Sequence, residues 1–141
     1  MNFSSVDNIK KIAITMGWQG GKTEKDRKFL SDLKDLSTEY NDMPFKTMVA
    51  TINLFKSHTE YEVLFLHIRE IPEVKRMIEY CGAKTLLVKS NRVAPIDSNW
   101  ADANVNQYEY DYTVYNNGSL EDLEKQVLEF IEWLKECDGD R

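Results

Sequence analysis

An α/β fold, helical in its N-terminal part and built on a short parallel sheet in the rest, is predicted by three observations. Up to residue 57 the apolar residues recur at helical spacing; beyond it short, continuous apolar runs alternate with helical patterns; and the segments between runs are long enough for the crossovers that parallel strands require. At 141 residues the chain is expected to be a single domain, 1–141, with a core of its own.

The first periodic segment carries Val6, Ile9, Ile12, Ala13 and Met16, follows the capping pattern Ser4-x-x-Asp7 and stops at Gly17. A Gly-rich turn leads to a second pattern, Thr23-x-x-Asp26, and a helix with Phe29, Leu30, Leu33, Leu36 and Tyr40 on one face. Asn41-Asp42-Met43-Pro44 signals a turn into a third helix bearing Phe45, Met48, Val49, Ile52 and Phe55. The run Val63–Ile68 is too short for a buried helix and suits a strand covered on both faces. Pro72 opens a helix with Val74, Met77, Ile78 and Cys81 inward, ended by Gly82. The second apolar run, Thr85–Val88, is followed by a polar, lid-like loop over 90–107. Tyr108–Tyr115 is rich in β-formers, and Asn116-Asn117-Gly118 turns the chain into Ser119-x-x-Asp122 and a long helix with Leu120, Leu123, Val127, Phe130, Ile131 and Leu134. The alternation of Tyr108, Tyr110 and Tyr112 with Glu109 and Asp111 fits a strand face better than a base-stacking platform, which would have basic neighbours.

Composition narrows the partners. With 24 acidic residues against 18 Lys and Arg, the net charge of -6 gives no general attraction to nucleic acid or anionic membranes, so any bound phosphate must be held locally. The first residues have neither a basic nor an apolar leader region, and no apolar run reaches membrane-spanning length, which predicts a cytoplasmic protein. Cys81 and Cys137 have no CxxC or His partners and read as ordinary reduced thiols. His58 and His67 lack the spacing of a metal pair; His67, inside an apolar strand, reads as a hydrogen-bonded core histidine.

Gly17-Trp18-Gln19-Gly20-Gly21-Lys22-Thr23 is close to a Walker A loop, but only three residues separate Gly17 from Gly21 where four are needed. The preceding residues are charged and helically patterned rather than strand-like, so a turn between two helices is predicted, with Lys22 solvated. Trp18 and Trp100, both in loops, either face a ligand or cap the core.

A series of strings carries a resemblance along nearly the whole chain. They are Ser4-Ser5-Val6-Asp7-x-x-Lys10, Met16-Gly17-Trp18-x-Gly20, Arg27 through Leu33, Phe65 through Glu70, Ala83 through Lys89, Ala101 through Val105, and Tyr110-Asp111-Tyr112 before Asn116 through Leu120. In this order they resemble bacterial and phage P-loop kinases of the nucleoside-monophosphate-kinase group, the deoxynucleotide and adenylate kinase relatives. The resemblance implies a three-layer domain in which residues 1–57 form a helical acceptor-binding region and 58–141 a βαβ unit, the lid-like loop and a final βα unit. It also implies a first strand and a true phosphate loop ahead of the segment that begins near Ser4, and this sequence lacks both. In that group the first strand is central, between the counterparts of Val63–Ile68 and Thr85–Lys89. Its absence predicts either that those two runs pair directly or that a strand or helix of a second copy fills the gap; a homodimer is expected, with a three-stranded parallel sheet within each chain.

Function follows as expectation. The resemblance implies ATP and Mg²⁺ as cofactors, neither expected to bind tightly to this chain, and a small nucleotide as acceptor, with Arg69 and Arg92 as the catalytic cations. Arg69, at the end of a buried run, would face the phosphates between acceptor and donor, where a planar guanidinium binds oxyanions bidentately; otherwise it forms a salt bridge with Glu70 or Glu73. Arg27 and Lys28 would contact the acceptor's monophosphate, or form a solvated face. Arg92 would be a lid arginine, or an ordinary loop charge. Asn117 and Gly118 would pass the nucleotide base, although Asn-Gly needs no ligand to explain a tight turn. Phosphoryl transfer depends on positioning and charge neutralisation, much of it from the phosphate loop, so the chain reads as a kinase body that is catalytically incomplete. The alternative is a non-catalytic nucleotide- or partner-binding protein derived from the same fold.

Overall fold

The computed structural model describes residues 1–92, 105 and 108–139. They fall into two compact units, Met1–Ile68 and Arg69–Arg141. The first contains β1 (Asn2–Ser4), α1 (Asp7–Thr15), α2 (Glu24–Asn41), α3 (Met43–Ser57) and β2 (Phe65–His67). The second contains α4 (Ile71–Cys81), β3 (Leu86–Lys89), β4 (Tyr112–Tyr115) and α5 (Leu120–Gly139). The mixed helix and parallel-strand content is that of an α/β protein.

The first unit is a three-helix layer with a short parallel pair. Ile9 and Ala13 of α1 and Met48 and Ile52 of α3 are buried, as is Pro44 in the first turn of α3. α2 packs on both of its helical neighbours, but its face differs from the expected one. Leu36 and Tyr40 stand out in solvent, 63% and 84% exposed, whereas Lys34 is buried. A long amphipathic side chain can bury its methylenes in this way, and no apolar pattern registers it. Between α2 and α3 the chain turns on the single residue Asp42, at φ 58°, a left-handed conformation that Asp tolerates better than most side chains.

β1 is absent from the sequence expectation. Three residues cannot display a period of two, and Ser4 also serves the start of α1, donating its amide to Asp7 Oδ2 at 2.8 Å. The strand runs parallel to β2 with Asn2 opposite Phe65 and Ser4 opposite His67, extended by Phe65 N to Met1 O at 2.9 Å and Ser5 N to His67 O at 3.2 Å. His67 is hydrogen-bonded, its Nε2 lying 3.3 Å from Asn2 Oδ1, but its ring is exposed and not part of the core.

In the second unit β3 and β4 pair in parallel, Leu86 opposite Tyr112 and Lys89 opposite Tyr115. β4 is shorter than the β-rich run: Tyr108 and Tyr110 precede it, meeting edge-on with ring centroids 5.1 Å apart. α5 seats Phe130 and Trp133 against Tyr112, at centroid distances of 5.2 and 5.1 Å. Gln126 ties the same helix to the outer edge of β4. Its Oε1 accepts from Tyr115 N at 2.8 Å and its Nε2 donates to Tyr115 O at 3.0 Å, so one side-chain amide takes the place of a neighbouring strand. The expected inward set on α5 holds only in part, because Leu120, Val127 and Ile131 are exposed. Two strands lie about 5 Å apart and a helix is about 10 Å across, so the pair is too narrow to cover the whole apolar face.

The sheet expectation is corrected. Among the described residues the strands form two parallel pairs, β1–β2 and β3–β4, and no three-stranded sheet joins Val63–Ile68 directly to Thr85–Lys89. Asn2–Ser4 supplies the backbone partner for β2, and Tyr112–Tyr115 supplies that for β3. Most of the lid-like loop 90–107, including Trp100 and the Ala101–Asn104 string, lies outside the described residues.

Candidate functional site at the carboxyl edge of the second sheet

Parallel strands deliver their carboxyl ends to one edge, and here that edge joins Ser90-Asn91-Arg92 to Asn116-Asn117-Gly118. The ladder continues past both strands through Asn116 N to Lys89 O at 2.7 Å. Ser90 Oγ then donates to Asn116 O at 3.1 Å, and Asn91 N donates to Asn117 Oδ1 at 2.8 Å. Arg92 closes the arrangement by donating from Nη2 to the carbonyls of Asn117, at 3.1 Å, and Gly118. Its guanidinium has three further N–H donors, on Nε and Nη1.

The amino end of α5 opens on this edge. Ser119 is its cap: Asp122 N donates to Ser119 Oγ at 3.1 Å, while Asp122 Oδ2 accepts from Ser119 N at 2.8 Å and from the hydroxyl at 2.9 Å. These bonds, the Ser119 amide foremost, hold the Asp122 carboxyl below the usual carboxylate range. A Cβ at Gly118 would fall on the Asp122 carboxylate, which would have to move.

Three residues singled out from the sequence as separate features are thus brought together: Arg92, Asn117 and Gly118. Asn117 and Gly118 serve through their carbonyls and one side-chain oxygen, an arrangement that the turn signal Asn-Gly did not specify. Ser90 and Asn91 were not foreseen, because nothing in a polar loop marks which residues will bridge to another strand. Arg69 is exposed, two residues past the end of β2. Arg27 and Lys28 are exposed on α2, and Lys28 forms an ion pair with Asp32 at 2.7 Å one helical turn away. At such exposure that pair contributes about 0.3–0.5 kcal/mol.

The near-Walker segment connects two helices. Trp18 N donates to Ala13 O and Gly17 N to Ile14 O, both at 2.9 Å, which is the Schellman ending of α1, with Gly17 at φ 98°. At the other end Thr23 caps α2 in a reciprocal pair with Asp26, whose Oδ2 accepts from Thr23 N at 3.0 Å. Several of the polar groups that a phosphate loop would present are therefore used as helix caps. Trp18 is half-buried, its Nε1 near the Asp26 carboxylate but without a hydrogen bond of normal geometry.

Among the described residues no three His, Cys, Asp or Glu side chains group so as to hold a metal ion. Asp122, four residues after Gly118, is bound by Ser119. These described residues offer no Mg²⁺ site of their own. Among the described residues no helix is long and apolar enough to cross a membrane. Comparison with protein-family models, with curated proteins and with solved structures finds no match to this chain.

Proposed function

We propose that the chain is the body of a nucleoside-monophosphate-type kinase, which binds a small nucleotide and ATP but does not transfer phosphate by itself. The observation that carries this reading is the convergence of Arg92, Asn117 and Gly118 at the carboxyl edge of a parallel pair. Open α/β sheets take their ligands at that edge, and a guanidinium beside a helix amino terminus suits an oxyanion. The order of the family-like strings along the chain supports the same reading and assigns Arg69 to the phosphates and Arg27 and Lys28 to the acceptor. The expectation of no turnover is supported by the Gly17–Thr23 segment, whose ends are engaged as helix caps.

Calorimetric titration with ATP and with a panel of nucleoside monophosphates tests the proposal. Weak binding is expected for the wild type, reduced about tenfold or more in Arg69→Ala or Arg92→Ala, the equivalent of about 1.5 to 3 kcal/mol for a hydrogen bond to a charged group. Equal affinities for the wild type and both variants would overturn it.

A second reading, a non-catalytic binding protein of the same fold, is favoured by one observation: Gln126 closes the outer edge of β4 at Tyr115, whereas β3 has no strand on its other side among the described residues. A second copy of the chain pairing there would give the expected homodimer. Light scattering that reports a monomer across micromolar concentrations, with cooperative unfolding intact, would remove that part of the proposal.

A further inference from the structure

We draw no further inference here: the strongest candidate, the exposed apolar stripe of Leu120, Val127, Leu128 and Ile131 along α5, carries nothing because no feature of the structure shows what covers it.

Discussion

Thr85 and Asp111 grip each other at the amino end of the β3–β4 pair. Asp111 Oδ2 accepts from both the amide and the hydroxyl of Thr85 at 2.7 Å, and the same hydroxyl accepts from Asp111 N at 2.8 Å. Tyr112 N donates to Thr85 O at 3.1 Å one step further on. The clamp fixes the register of two strands that are 26 residues apart in sequence. It does for a parallel pair what a tight turn does for a hairpin.

This clamp makes stability depend on pH. Burial pushes the Asp111 carboxyl up, but the Thr85 hydroxyl and amide outweigh it, with Lys84 assisting, and the group lies below its ordinary value. A carboxyl depressed by folding contributes stability above its unfolded pKa of about 4, and the contribution is lost as pH falls through and below that value. Asp111→Ala is expected to cost about 1 to 2 kcal/mol in urea unfolding at pH 7, at the lower end of charged hydrogen bonds because the residue is largely exposed. The difference from wild type should shrink steadily below pH 4. A constant difference down to pH 2 would show that the carboxylate is not the source.

Gly118 is predicted to resist substitution for a local reason. Ser119→Ala removes the cap of α5 and should cost about 1 kcal/mol. Gly118→Ala should cost about as much, because its Cβ displaces the Asp122 carboxylate from Ser119. In an Asp122→Ala background the added penalty of Gly118→Ala should largely vanish, and thermal unfolding of the four proteins reads this directly. A penalty that persists there would place the conflict with another group.

The turn between α1 and α2 separates two roles that share one string of residues. Gly17→Ala is expected to destabilise the chain by about 1 kcal/mol, since φ 98° suits glycine and the Schellman bonds depend on it. Lys22→Ala should leave stability unchanged, and a coupled assay should detect no ATP-dependent phosphorylation of any nucleoside monophosphate with either protein. Activity present in the wild type and lost in Lys22→Ala would restore the turn as a phosphate loop.

Helices were legible in this sequence because each carries a period and a signal at one end at least. Thr23 with Asp26, Ser119 with Asp122, Gly17 and Gly82 all mark ends that the structure places within a residue or two of the expected bounds. Strand identity was legible where an apolar run was continuous, at Phe65–His67 and Leu86–Lys89. It was not legible at Asn2–Ser4, which becomes a strand only because β2 lies beside it. Pairing was the larger failure. Which strands meet depends on contacts such as Thr85 with Asp111 and Tyr115 with Gln126, and neither follows from propensity. The site was half visible: Arg92 and Asn117-Gly118 stood out singly, but the bonds from Nη2 to two carbonyls join residues 25 and 26 apart.

The most direct test of nucleotide binding at the carboxyl edge of β3 and β4 is an amide NMR titration of the full chain with ATP and with a nucleoside monophosphate. The account predicts that the largest shifts fall on Asn91, Arg92, Asn117, Gly118 and Ser119, and that Arg92→Lys, which keeps the charge but loses the planar fork, weakens them. Shifts confined to other residues, or none at millimolar nucleotide, would contradict it.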